Sequence, residues 1–505
     1  MSTISASKGF TMSEPLPLWI GGRPEQGVGL IERENPASPS QSVGSVESAD
    51  AASTARAVTS AHEAFPSWAA LPVEERVALV TAAIEAADVE RLELAELLAS
   101  EVGKVVTDAR GELSFAAAFA AFAGPHAIAL CADETVEDAE GRLVIAHEPF
   151  GVVAAITAWN APVILAALKV VPALMTGNTM VLKPSPLAPL TVTRYLSAVA
   201  AELPAGVLNV VNGGGDVGAA LVGHPLVSKI SFTGGLQTAR IIAASAAEQI
   251  TPTVMELGGN DAAIFLPDAE YTDAMYERAV FGAFLTSGQV CMAAKRLFVP
   301  RGRLDEFVEG FSSAAARVLK VGDPGDSAST MGPVVTRRDQ ERLSELLASA
   351  VAAGGTATTI GEIRYDDSEG YWVPPTIVTG LADEHPLVSQ EQFGPVLPIL
   401  VYDTEEEAIE RANSVDQALA SSVWSTDEEH ARSVARRLNA GFTFINCANR
   451  AGTSLRAPFG GRGRSGHGRE FSALGIGEYL QTHSINYPNA VRSGEARGNA
   501  YPAGA

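Results

Sequence analysis

From Gly151 onward, short apolar runs alternate with helical stretches rich in Ala, Leu and Val. GVVAAIT, TMVLK, GVLNVV and KISFT start at Gly151, Thr179, Gly206 and Lys229. Runs that are apolar throughout, rather than at every second residue, belong to strands covered on both faces. Helices between successive strands make the pairing parallel. After Gly258 the pattern begins again, with DAAIFL, a helix to Phe284, RLFVP, and a helix around Leu304, Phe307 and Phe311. This predicts an α/β chain with two parallel-sheet units meeting near 256-ELGGN-260.

At 505 residues the chain exceeds one ordinary core. Residues 50–110 read as helical, with Leu94, Leu97, Leu98, Val102, Val105 and Val106 on one face. Residues 1–17 and 489–505 read as flexible ends. The composition, 47% hydrophobic and 19% charged, is that of a soluble globular protein, and a net charge of -23 disfavours nucleic acid and anionic membranes. The uncharged stretch from Pro149 to Leu168 could be taken for a membrane span, but Gly151, Asn160 and Pro162 interrupt it. It reads as strand, turn and buried helix. Three cysteines, Cys131, Cys291 and Cys447, without a secretory leader, point to a reduced cytoplasmic setting. The eight histidines are scattered and no metal-ligand spacing occurs, so no metal is expected.

Cys291 stands out among the thiols. It follows a Ser-Gly-Gln run, and a turn at Gly288-Gln289 followed by a helix would bring its sulfur near backbone amides. A thiol that attacks a carbonyl also needs a donor for the oxyanion and a base for the water that releases the acyl group. Asn160, in the loop after one strand, and Glu256, at the end of another, are candidates, because ligands bind at strand ends of parallel sheets. The sequence 213-GGGDVG-218 matches a dinucleotide fingerprint, but no acidic residue follows at the spacing that motif needs. An ordinary Gly-rich strand-to-helix turn explains it equally well.

The set 159-WNAP-162, 181-VLKPS-185, 232-FTGG-235, 256-ELGGN-260, 288-GQVC-291, 391-EQFGPV-396 and 458-PFGGRGRSGHGRE-470 resembles the aldehyde dehydrogenase superfamily, in order and from about Leu18 to Asn486. The resemblance implies a Rossmann-like cofactor domain (18–127 and 150–257), an α/β catalytic domain (258–477) and a small oligomerisation β element (128–149 and 478–488). It implies that Cys291 attacks an aldehyde, that Asn160 and the Cys291 N–H hold the oxyanion, and that Glu256 activates the hydrolytic water, with Lys169 and Glu470 in a water network near that base. Lys183 would bind the adenosine ribose, with Ser185 also on the cofactor side, and Glu391 and Phe393 would hold the nicotinamide ribose and ring. Ile156, Thr157, Trp159, Gly214, Phe232, Thr233, Gly234, Gly235 and Leu257 would complete the cofactor cleft. The cofactor is then NAD, with NADP possible, the partner a small aldehyde, and the assembly a homodimer or homotetramer.

Three departures from the family pattern matter. Pro186 stands where many NAD-dependent members carry a glutamate, FTGG-LQTA replaces the commoner pyrophosphate run, and the Glu256–Cys291 interval is one residue longer, as if by an insertion before Ser287. Phe115, Phe119 and Phe122 share a helix face, either as core or as rings lining a substrate tunnel. The tunnel reading favours a hydrophobic or aromatic aldehyde. Cys131 and Cys447 read as inert, the latter in a loop expected at the tunnel. Two rival activities remain open: a CoA-acylating relative, and a non-catalytic structural or binding protein of the same fold.

Overall fold

The computed structural model describes residues 12–366 and 369–489. The outermost parts of the two predicted flexible ends, residues 1–11 and 490–505, lie outside these. Residues 12–17 are not loose: the Met12 and Leu16 amides donate to the Val43 and Ser45 carbonyls of strand Ser38–Ser48. Four strands between residues 18 and 48 carried no sequence signal, because they are short or half-exposed and lack apolar runs.

The predicted strands form the centre of the first sheet. Its parallel part runs Leu208–Val210, Thr179–Lys183, Val152–Ile156, Val227–Thr233, Thr253–Glu256, with antiparallel strands added at both edges. Every residue of Val152–Ile156 and Thr179–Lys183 is buried, which is why both strands read as unbroken apolar runs. The chain winds one way from Val152–Ile156 to Thr179–Lys183 and the other way to Val227–Thr233. A crevice opens beyond the carboxyl ends at such a switch point.

The second sheet runs Thr356–Thr359, Thr376–Thr379, Val396–Tyr402, Ala294–Pro300, Asp261–Phe265, Ala420–Trp424, Phe442–Ile445, parallel except at its first edge. It turns its amino ends towards the crevice. The residues just before Asp261, Ala294 and Val396 are those of ELGGN, GQVC and EQFG. Strand Ala294–Pro300 begins two residues earlier than the RLFVP pattern suggested, and so takes in Ala294 and buried Lys295.

Strands Glu134–Glu137, Gly141–Pro149 and Leu480–Pro488 form a separate three-stranded antiparallel sheet. The helix before it runs Val106–Leu130, so a boundary at residue 127 falls inside a helix. Among the described residues this is the one helix long and apolar enough to cross a membrane. Its small residues Ala109, Ala116, Ala120, Ala123 and Ala127 are buried against the core, where it packs on helices Val73–Ala87, Arg91–Val102 and Pro162–Met175.

Candidate active site

A cavity of about 660 Å³ lies between the two sheets. Ile156, Thr157, Lys183, Thr233 and Glu256 reach it from the carboxyl ends of the first sheet. Cys291, Glu391 and Phe393 reach it from loops at the amino ends of the second. Asn160, Trp159, Ser185, Gly214, Phe232, Gly234, Gly235, Leu257 and Glu470 also line it. Of the catalytic and cofactor-side candidates named from sequence, Lys169 alone is not on the wall. It lies fully buried behind it, with Nζ 2.7 Å from Glu470 Oε1.

The helix expected after Gln289 does not form. Residues Leu285–Gly288 make one tight turn, and after Cys291 the chain passes directly into strand Ala294–Pro300. Two consecutive non-glycine residues, Thr286 (φ 52°) and Ser287 (φ 58°), take left-handed backbone there, each at a cost of about 1–3 kcal/mol. The Ser287 hydroxyl donates to the Gly332 carbonyl at 2.8 Å and holds the turn. Cys291 is therefore presented by a strained turn, without a helix N-terminus behind it. Burial pushes its thiol up to about 12, and Lys295 is the cation that pulls the other way.

Asn160 donates one N–H to the Gln289 carbonyl at 2.9 Å, which fixes the amide beside the cysteine turn and leaves its second N–H for a ligand. Its loop is anchored from below. Helix Pro162–Met175 starts immediately after it without a side-chain cap of its own. Glu112 supplies one from a neighbouring helix, accepting from the Val163 amide at 2.8 Å and from buried Lys104. Glu256 ends its strand with both carboxylate oxygens buried and without a hydrogen-bond partner among the described residues. Burial, and then the Glu470 carboxylate, raise it well above the usual carboxylate range, while Lys169 and Arg469 oppose this. A carboxylate tuned upwards is better matched to proton transfer near neutral pH.

On the other side, Lys183 Nζ donates to the Gly213 and Pro184 carbonyls at 2.7 and 3.0 Å, so one of its three N–H groups is left for a ligand. Burial lowers it to about 8. Pro186 lies beside it on the wall. The Thr157 and Thr233 hydroxyls are buried without partners among the described residues, as groups awaiting a polar ligand would be. Glu391 accepts from the Gly259 amide at 3.1 Å. A Cβ on Gly258 would come within 2.0 Å of its carboxylate, so any larger residue there would push the Glu391 side chain aside. Phe393 (φ 45°) is also left-handed, and its ring meets Trp159 edge-on at 5.8 Å.

Apolar side chains cover much of the remaining wall, among them Ile164, Leu165, Leu168, Met292, Phe459 and Phe471, while Gln417 and the cations Lys104, Arg342, Arg450 and Arg464 also reach it. None of these was singled out beforehand, although Leu168 lies one helix turn beyond Ile164 and Leu165. Phe115, Phe119 and Phe122 do not line the cavity. Phe115 and Phe119 stack on each other and edge against Phe471, one layer behind the wall. Cys447 is likewise off the wall, although Arg450 of the same loop is on it. The four cations here are paired, Lys104 with Glu112, Arg450 with Asp108 at 3.4 Å, Arg342 with Asp339 at 3.3 Å and Arg464 with Asp416 at 2.6 Å.

The aldehyde dehydrogenase family model matches residues 23–485. The chain belongs to the aldehyde dehydrogenase family. It is 39% identical to the peroxisomal aminoaldehyde dehydrogenase 1 of Pisum sativum over 68% of this chain and 67% of that one. A mutant of aldehyde dehydrogenase C from Pseudomonas syringae, solved with NAD+ and octanal, superposes with a TM-score of 0.87 at 33% identity, covering 94% of this chain and 98% of that one. An NADP-dependent enzyme of E. coli superposes with a TM-score of 0.88 at 32% identity, with the same coverages. Family membership and the parallel-sheet architecture thus agree with the motif reading.

Proposed function

We propose that the protein oxidises an aldehyde to its carboxylic acid with NAD+ or NADP+, using Cys291 as nucleophile. The observation that carries this reading is the convergence of Cys291, Asn160 and unpartnered Glu256 on one cavity. The Cys291 thiol gives its proton to a carboxylate or to solvent, and the sulfur attacks the aldehyde carbon. The new oxyanion takes the second Asn160 N–H and the Cys291 N–H. A bound nicotinamide dinucleotide supplies the hydride acceptor. Lys183 and Glu391 would hold its two riboses, and the two threonine hydroxyls fit polar groups along it. Once the acyl group is a thioester on Cys291, Glu256 takes a proton from water, which attacks the thioester carbon, and the thiol leaves.

The Glu256 carboxylate supports release by water over release by a second thiol such as CoA. The largely apolar wall supports a hydrophobic or aromatic aldehyde, and the octanal bound by the P. syringae relative supports a hydrophobic one. Three free thiols fit a reducing compartment, and the three-stranded sheet, exposed along Leu480–Pro488, is our candidate for self-association. A panel of aldehydes with either cofactor, with and without CoA, tests the reading. Acid and reduced cofactor should appear together without CoA, and turnover that requires CoA would overturn it.

The cofactor choice has its own test at Pro186. In Pro186→Glu a carboxylate could accept from a ribose 2′-hydroxyl and would repel a 2′-phosphate. The kcat/KM ratio for NAD over NADP should rise by roughly 1–2 kcal/mol. A ratio that does not move would mean that this loop is not at the adenosine ribose.

A further inference from the structure

Lys295 is 1% exposed, among the most buried large side chains of the described residues. An ammonium is rarely buried unless every N–H is taken up. Here Nζ donates to the carbonyls of Val290 (2.8 Å) and Cys291 (2.5 Å) and lies 3.4 Å from Glu391 Oε1. The first two carbonyls belong to the turn that presents the sulfur. Glu391 in turn holds the Gly259 amide, three residues beyond Glu256. One buried cation thus joins the cysteine turn, the Glu391 loop and the ELGGN loop.

We propose that Lys295 is a positioning residue for this reaction: it ties the turn of Cys291 to Glu391 and provides the positive charge that stabilises the thiolate. This rests on Cys291 being the nucleophile. Among the described residues no histidine lines the cavity to form an ion pair with the sulfur. The charges that act on the thiol besides Lys295 are the carboxylates of Asp261, Glu391 and Glu256, all of which disfavour the thiolate. Asp261 stands at the start of strand Asp261–Phe265, and Glu256 has Lys169, Arg469 and Glu470 around it. Arg342 faces Glu391 from helix Arg337–Ala352. Arg296, next to Lys295 on the strand, spends its guanidinium on the carbonyls of Asn260, Arg411 and Ala412. Lys295 is therefore the cation opposing three carboxylates at the sulfur, and its own attraction is partly cancelled by Glu391.

The two partners should therefore act on the sulfur with opposite signs. The experiment measures alkylation of the full-length protein by iodoacetamide, in a Cys131→Ser, Cys447→Ser background, without aldehyde or cofactor, from pH 7 upward. Below the thiol pKa the rate follows the thiolate fraction, about tenfold per unit of pKa. Lys295→Met should slow alkylation at a given pH by about tenfold or more, and Glu391→Gln should speed it several-fold. Rates that stay at the parent value, or that move in the same direction in both variants, would overturn the proposal, since a purely structural prop gives no such opposition. If Lys295→Met does not fold, Glu391→Gln decides alone, and alkylation no faster than in the parent refutes the proposal. Failure of the nucleophile assignment would show separately, as turnover retained in Cys291→Ser.

Discussion

Cys291→Ser is expected to reduce aldehyde oxidation to below about 1% of the parent rate, because a hydroxyl is a far weaker nucleophile than a thiolate near neutral pH. The change replaces one small atom by another in a turn already fixed from outside. Asn160 holds the Gln289 carbonyl and Lys295 holds those of Val290 and Cys291. Packing should therefore survive, and titration with NADH should give nearly the parent dissociation constant. That combination, lost chemistry with cofactor binding kept, separates a nucleophile from a residue that merely supports the cavity. Turnover above a few per cent would mean that the nucleophile has been misassigned. Cys447, which is off the cavity wall, could not take its place without a movement of its loop.

Glu256→Gln is expected to uncouple the two halves of the reaction. Cys291 can still attack and be acylated, but the water that should release the acid has lost its proton acceptor. Rapid mixing with aldehyde and cofactor should give a burst of about one NADH per site, followed by a steady rate about 10²–10⁴-fold below the parent. In the parent, Glu256 sits above the ordinary carboxylate range because of burial and then Glu470. Its base form is lost as pH falls through that raised value, so parent turnover should rise with pH. In the variant that limb should disappear from the steady rate. The burst should still quicken with pH, because burial raises the Cys291 thiol as well. Steady turnover at the parent rate without CoA would show that Glu256 is not the base, and Glu470, also on the wall, would be next to test.

Much of this was legible locally. Strands covered on both faces must be apolar throughout, so Val152–Ile156, Thr179–Lys183 and Asp261–Phe265 could be read from the chain itself. A glutamate at the end of such a strand and a cysteine after Gly-Gln are unusual in a way that chemistry explains, and family motifs added the cofactor-side residues. What stayed open or was misread lay where a local pattern has more than one three-dimensional use. Gly288-Gln289 could open a helix or end a turn, and the paired left-handed residues before it, with the strand that follows, decided for the turn. The spacing of Phe115, Phe119 and Phe122 defines a face but not what it faces, which proved to be the back of Phe471.

Lys295 marks the division most clearly. In sequence it is one of two adjacent basic residues and would pass for surface charge. In the fold it is buried against carbonyls and a carboxylate that arrives from almost a hundred residues further on. The sequence by itself determined the central parallel strands, their buried faces and the chemical types at their ends, because hydrophobic period and turn residues act over a few positions. Only the tertiary structure decided which ends meet, which wall is apolar, and how Cys291, Glu256 and Glu391 are charged. Those depend on two sheets bringing distant loops to one cavity, where burial and neighbouring charges, rather than residue type, set the proton affinities.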